Sequence, residues 1–182
     1  RVLDRARHAD AESEELVLVV RALVDQKAPF GDDRVEDALG AVGDVERVQR
    51  LASISKPMAA WAMLVAVEEG VVELDQPAGQ PGCTLRHLLA HAGGYAFDGD
   101  ESIARPEATR MYSNTGIELA AKAVEAATGI AFADYLTEAV FAPLAMGSTV
   151  LRGSPAHGVH SNLADTCRFV AEVMRPTLIH AN

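Results

Sequence analysis

Arg50-Leu51-Ala52-Ser53-Ile54-Ser55-Lys56-Pro57 is the stretch on which the fold assignment turns. It opens a helical run in which Met58, Trp61, Ala62, Leu64, Val65 and Val67 form a broad apolar face, with Gly70 as a fitting stop. Pro57 would break a helix interior. It is tolerated within the first turn, where backbone N–H groups lack partners anyway, so the helix is expected to start near Ser53. Ser53 and Lys56 then share one helix face, and hydroxyl and ammonium can meet. The positive end of the helix dipole favours an anion at the same place. A serine hydroxyl is a weak nucleophile until a base takes its proton. A lysine is that base only when burial or a nearby cation lowers its pKa. The plain alternative is a capping serine beside a solvated lysine.

Downstream, residues 77–83 hold two prolines and two glycines and read as loop. Thr84 caps a short helix carrying Leu85, Leu88 and Leu89, ended by Gly93-Gly94. Residues 95–111 have no clean period and read as a long loop, a common carrier of function. In Tyr112-Ser113-Asn114 the first and third side chains of an extended segment point the same way. A phenol near a lysine can move a proton, and an amide can hold a substrate carbonyl or the lysine itself. The alternative is a tyrosine packed on a helix end, with Asn114 or Thr115 as the cap. That helix buries Ile117, Ala120, Ala121 and Val124 and stops at Gly129. A further helix covers about 131–141 and ends before Pro143. The last starts at Ser161, buries Leu163, Cys167, Val170 and Met174, and stops before Pro176. Upstream, residues 1–15 read as a solvated helix. Leu16–Val20 is a buried strand, or a helix running on to Val24. Pro29–Asp33 is turn chemistry, and 39–48 is ambiguous. Strands are expected only before residue 50.

At 182 residues, 49% hydrophobic and 23% charged, the chain has a globular composition and enough length for one core. A net charge of −10 argues against a nucleic-acid surface. No run of apolar residues is long enough to span a membrane. No signal-peptide pattern is visible, and a cytoplasmic location is the default expectation. Cys83 and Cys167 show no metal-type spacing; two buried thiols are expected rather than one bridge. His91 reads as structural, and His157 and His160 lack a third metal ligand. Asp98, Asp100 and Glu101 read as a solvated acidic cluster near the cleft. Trp61 and Met63 read as packing, and Tyr95 and Phe97 as packing or cleft lining.

Taken together the motifs resemble the serine β-lactamase-like, penicillin-binding-protein family, which includes class C β-lactamases, D-alanyl-D-alanine carboxypeptidases and many esterases. Residues 50–57 resemble its nucleophile segment, and 67–77 the family's next stretch of chain. Residues 84–94 resemble its L-L-x-H-x-S-G helix end, and Tyr112-Ser113-Asn114-Thr115-Gly116 its Y-x-N element. Residues 141–147 resemble its P-L-G-M segment, and 161–169 a later S-T-x-x-D-L-x-R-F helix. All stand in family order.

The resemblance implies an α+β fold of β-lactamase/transpeptidase type: a helical region over 51–182 and part of an antiparallel sheet from 1–50, as one domain. It implies Ser53 as the acylated nucleophile, Lys56 as its base or proton relay, and Tyr112 as a second proton carrier. Asn114 would contact substrate and orient Lys56, and the Ser53 N–H would supply half an oxyanion hole. No metal or organic cofactor is implied. The expected function is serine acyl transfer on an amide or ester, whether β-lactam, D-Ala peptide or small ester. The partner is then a small-molecule substrate. The alternatives are a non-catalytic homologue that binds a ligand or partner, and a purely structural helical domain. One departure stands out. No K-[ST]-G occurs, and His91-Ala92-Gly93, though it spells H-x-G, precedes Tyr112 and is not carried over. The family's C-terminal strands are not found either, which implies a shortened chain or a partly lost site. Uncovered sheet edges would then favour self-association.

Overall fold

The computed structural model describes residues 44–180; the expectations for residues 1–43 lie outside the described residues. Strand β1 is Gln49–Arg50. A 3₁₀ turn over Ala52–Ile54 leads into helix α1, Ser55–Glu68. Helix α2 is Leu85–Leu89, α3 is Asn114–Thr128 and α4 is Phe132–Leu136. The last continues as a π-helical turn, Thr137–Phe141, closed by the Ala142 N–H donating to the Thr137 carbonyl at 2.8 Å. Strands β2, Val150–Leu151, and β3, Val159–Ser161, precede helix α5, Leu163–Met174.

Helix α1 is the axis of the core. Small residues let its neighbours approach closely: Ala59, Ala62 and Ala66 are fully buried, as are Met58 and Met63 beside them. It packs against α3, whose Ile117, Ala120 and Val124 face inward, and against α4 and its π turn through Leu136 and Val140. A helix covered on several sides has little need of a polar face, which is why its sequence reads as broadly apolar. The cap of α3 is Ser113, whose hydroxyl accepts the Gly116 N–H at 3.0 Å, and not Asn114 or Thr115. Helix α2 ends at Leu89, short of Gly93-Gly94, and Thr84 caps it as a capping box with His87.

The sheet corrects one expectation. Strands were expected only before residue 50, yet β2 and β3 lie far beyond it. The order is β1-β3-β2, all antiparallel, with Arg50 opposite His160 and Leu151 opposite Val159. Each strand is two or three residues long, too short for an alternating pattern to register in sequence. Helix α5 carries a second correction. It starts at Leu163 after the Asn162 cap, and the face it buries is Asp165, Thr166, Phe169 and Glu172. Leu163, Cys167 and Val170 are half-buried and Met174 is exposed. The inward face is polar because its charged groups find partners. Asp165 accepts from the Ser148 N–H at 2.8 Å and the Thr149 hydroxyl at 2.9 Å. Glu172 accepts from the Trp61 indole at 3.2 Å, the Thr177 hydroxyl at 2.7 Å and the Leu178 N–H at 2.9 Å. Trp61 also meets Phe169 edge-on, ring centroids 6.0 Å apart, and so joins α1 to α5. Cys83 is buried, Cys167 half-buried, and no bridge joins them. Among the described residues no helix is long and apolar enough to cross a membrane.

This packing can be tested at two residues. A Cβ at Gly158 would stand well inside contact distance of the Arg152 carbonyl oxygen and 2.7 Å from that of Ser154. Gly158→Ala should therefore destabilise the protein by about 1–3 kcal/mol in urea unfolding, because both neighbours are backbone. Burial pushes the Glu172 carboxyl up, but hydrogen bonds from Leu178, Thr177 and Trp61 outweigh it and hold the group below its ordinary range. A depressed carboxylate adds stability above its unfolded-state pKa, and that stability is lost as pH falls through the folded value. The wild-type stability curve should drop on that acid limb, and Glu172→Gln should flatten it.

Candidate active site

The site is built where α1 meets β3. Val159, in the central strand, gives both backbone groups to the Leu51–Ser55 segment. Its carbonyl accepts the Leu51 N–H at 2.8 Å, and its N–H donates to the Ser55 hydroxyl at 2.9 Å. Ser55, fully buried, donates in turn to the Ala52 carbonyl at 2.6 Å. The chain between these ties is forced into a tight turn. Ala52 takes φ +47, a left-handed conformation that costs a non-glycine residue about 1–2 kcal/mol. The turn lifts Ser53 into solvent on the 3₁₀ segment. Among the described residues, no backbone carbonyl accepts the Ser53 N–H, which leaves it available to an anionic oxygen.

Lys56 lies one turn on and is 5% exposed. Its Nζ donates to Ser53 Oγ at 3.3 Å and to the Ala156 carbonyl at 3.0 Å. It also sits 4.6 Å from the centroid of the Tyr112 ring. Burial pushes the Tyr112 phenol up. Hydrogen bonding toward Ser53 and Lys56, with the Lys56 charge, outweighs that and sets the phenol below the ordinary tyrosine value. The structure thus brings Ser53, Lys56 and Tyr112 together. In charge terms it is a buried ammonium flanked by a hydroxyl and an acidified phenol.

Two rings neighbour Tyr112. His91 lies 4.7 Å from it, centroid to centroid, and Phe97 stacks at 6.0 Å with a 23° interplanar angle. His91 has φ +58, and its Nδ1 accepts the Ser113 N–H at 3.2 Å. Burial, then the charges of Arg110 and Lys56, push the imidazole below its ordinary value, which suits the neutral ring that Nδ1 acceptance requires.

Asn114 is buried, and its Nδ2 donates to Asp98 Oδ1 at 2.8 Å. A carboxylate has only acceptors to offer, so this contact fixes which end of the amide faces it. The Asn114 Oδ1 is buried without a partner, so it accepts nothing from the Lys56 ammonium. The orienting role expected of Asn114 is therefore not built into this geometry; the Ala156 carbonyl holds the ammonium instead. Asp98 is exposed, as its solvated reading had it, yet it is also Asn114's partner. Tyr95 is a packing residue: it is buried, and its hydroxyl accepts the Gln80 N–H at 2.7 Å.

Sequence reasoning missed Ser55, Ala156 and the His91 contact. Ser55 lies inside S-x-x-K with nothing to mark it. Ala156 acts through its backbone and leaves no side-chain signal. His91 lies in the helix end that the resemblance covers, and it takes a left-handed φ there.

The beta-lactamase family model matches residues 44–180. A solved beta-lactamase from Mycobacterium bovis is 49% identical with a TM-score of 0.76, covering 79% of this chain and 54% of that one. A penicillin-binding protein from Bacillus halodurans superposes with a TM-score of 0.71 at 18% identity, covering 84% of this chain and 68% of that one, a likeness of fold. Penicillin-binding protein 4* of Bacillus subtilis is 30% identical, covering 54% of this chain and 29% of that protein. The chain thus spans about half of the Mycobacterium structure and under a third of the Bacillus subtilis relative. Its fold is β-lactamase/transpeptidase-like, mixed helix with a small antiparallel sheet, and the family model covers well over half of the sequence: the chain belongs to the beta-lactamase family.

Proposed function

We propose that the protein is a serine hydrolase that works through an acyl-Ser53 intermediate on an amide or ester. The observation that carries the reading is the Lys56 ammonium, buried and hydrogen-bonded to Ser53 Oγ, with the Tyr112 ring beside it. Ser53 Oγ attacks the carbonyl carbon, and its proton passes to the Tyr112 oxygen of the Tyr112–Lys56 pair, which reacts as the phenolate that the neighbouring Lys56 ammonium favours. The same pair returns that proton to the leaving amine or alkoxide as the carbon–heteroatom bond breaks. Water then attacks the acyl carbon, its proton travels back through the pair to Ser53 Oγ, and the acid is released. The Ser53 N–H takes one side of the oxyanion. Asn114, at the mouth of α3, is proposed to contact substrate. A beta-lactamase/D-alanine carboxypeptidase of Yersinia pestis and a D-amino acid amidase of Ochrobactrum anthropi, which share the fold, are by name amide hydrolases, in keeping with the amide half of this reading. The proposed substrate classes are β-lactams, D-Ala peptides and small esters.

Intact mass spectrometry after incubation with a penicillin and with an activated ester tests the reading. A mass gain equal to the acyl group, absent in Ser53→Ala, is expected. No adduct from either donor on a folded chain would leave the non-catalytic binding homologue in its place. Lys56→Ala and Tyr112→Phe should each slow acylation by roughly 10²–10⁴-fold, the usual worth of positioned proton transfer. Burial, helped by Glu69, pushes the Tyr135 phenol up, whereas Tyr112 stands below the ordinary value. On raising pH, Tyr112 should therefore give tyrosinate absorbance ahead of Tyr135. That early component should vanish in Tyr112→Phe and move to higher pH in Lys56→Gln. The neutral form of His91 is the folded form, so its contribution to stability holds above the ordinary histidine pKa and fails as pH falls through the depressed folded value. Acylation and thermal stability should decline together over that interval, and His91→Gln should remove the decline.

A further inference from the structure

A lysine ammonium has several protons to place, and their acceptors decide where it stands. Ser53 Oγ accepts from Lys56 within one helical turn, so it does not fix the ammonium against the rest of the site. Among the described residues, the Ala156 carbonyl is the one backbone acceptor that reaches Lys56 Nζ. Its position therefore sets where Nζ stands beside Ser53 and Tyr112. Ala156 lies in the 152–158 turn, which closes as the His157 and Gly158 N–H groups donate to the Ser154 carbonyl. After Ala156 the turn is tied to the sheet: Arg50 of β1 donates to the His157 carbonyl at 3.1 Å, and His160 Nδ1 of β3 meets the Gly158 carbonyl at 3.0 Å. Before Ala156 the tie is to α3, where Glu118 accepts the Ser154 hydroxyl. Ser154 Oγ also accepts the Ala156 N–H at 3.1 Å, so its own proton has to go to an acceptor. A carboxylate has only acceptors to offer, which fixes the direction of this link. Glu118 stands one turn along α3 from Asn114, and Tyr112 stands just before that helix begins. One helix thus carries the supports of both the phenol and the carbonyl that neighbour Lys56.

We infer that Glu118 is a positioning residue: through Ser154 it holds the Ala156 carbonyl where the Lys56 ammonium can meet both Ser53 Oγ and Tyr112. The inference rests on the acyl-transfer reading and adds to it a half-buried residue of α3 whose hydrogen bond goes to Ser154 and not to the reacting groups. Without Glu118 the Ser154 hydroxyl is free to rotate, the Ala156 N–H loses its oriented acceptor, and the carbonyl on which the ammonium rests can shift. A small displacement of a proton carrier is enough to slow the step it serves.

The test pairs two readouts in Glu118→Ala, Glu118→Gln and Ser154→Ala: acylation by an activated ester, and the tyrosinate absorbance of Tyr112 on raising pH. In Glu118→Ala the acylation rate constant should fall by about ten- to a hundredfold, with the half-saturating ester concentration unchanged. The early tyrosinate component should move to higher pH, because the ammonium beside the phenol has shifted away. Loss of the carboxylate charge alone would move that component to lower pH, and would do so equally in Glu118→Gln. Glutamine keeps an oxygen that accepts the Ser154 hydroxyl, so Glu118→Gln should retain most of the rate and the early component. Ser154→Ala should reproduce Glu118→Ala, and the double variant should be no slower than Ser154→Ala alone, since both break one link. Should Glu118→Ala fail to fold, Ser154→Ala against Glu118→Gln decides. An unchanged acylation rate in these alanine variants would overturn the inference. So would an early component that stays in place, or one that moves alike in Glu118→Gln. A wild type that the ester does not acylate is a different result: it would sink the acyl-transfer reading, while the absorbance shift would still decide whether Glu118 places Lys56.

Discussion

The site depends on the hold that Val159 has on the segment between Leu51 and Ser55. Both backbone groups of one strand residue are committed to that segment. The ties bring the strand and the start of α1 so close that the intervening residues must turn through the left-handed conformation of Ala52. Ser55 is buried and fully partnered, and each of its two hydrogen bonds contributes about 0.5–1.5 kcal/mol. That is the same order as the strain it holds in place. Exposure of Ser53 and burial of Lys56 are two outcomes of one constraint: the helix begins against the sheet, so its first turn points one residue outward and the next inward.

The ammonium is then held by a short chain of contacts reaching across to α3. Lys56 donates to the Ala156 carbonyl, the Ala156 N–H donates to the Ser154 hydroxyl, and that hydroxyl donates to Glu118 of α3. The turn that carries them closes on Gly158, where a side chain has no room. On the other side, the loop of residues 96–99 is fastened to the first turn of α3, and its Phe97 stacks on Tyr112, which also neighbours His91. The Leu51–Ser55 segment, the 152–158 turn and the 96–99 loop thus meet around one lysine. Two of the three are fastened to α3, which in turn packs on α1. Core packing and site geometry are coupled through that helix.

Much of this was legible because helices and short polar motifs leave marks in sequence. The spacing of Ser53 and Lys56, the early Pro57, the cap at Thr84 and the stop at Gly129 each have a local physical cause. What was not legible has causes that are not local. Strands of two or three residues carry no period. The inward face of α5 is polar because Ser148, Thr149, Trp61 and Thr177 supply partners from elsewhere in the chain, so hydrophobicity pointed to the opposite face. The partner of Lys56 is a backbone carbonyl a hundred residues away. The side chain of Asn114 draws the eye as a cap, while the cap of α3 falls to Ser113, one residue earlier.

The central claim is that the Ser55–Val159 tie orients Ser53 for acylation, and the acylation rate of Ser55→Ala tests it most directly. The variant should stay folded, weakened by about 1–3 kcal/mol for the stranded Val159 N–H. Measured on protein whose near-UV circular dichroism matches the wild type, the rate of acyl-Ser53 formation from an activated ester should fall by at least about tenfold, as misplacement of a reacting group requires. A folded Ser55→Ala protein that acylates at the wild-type rate would contradict the account.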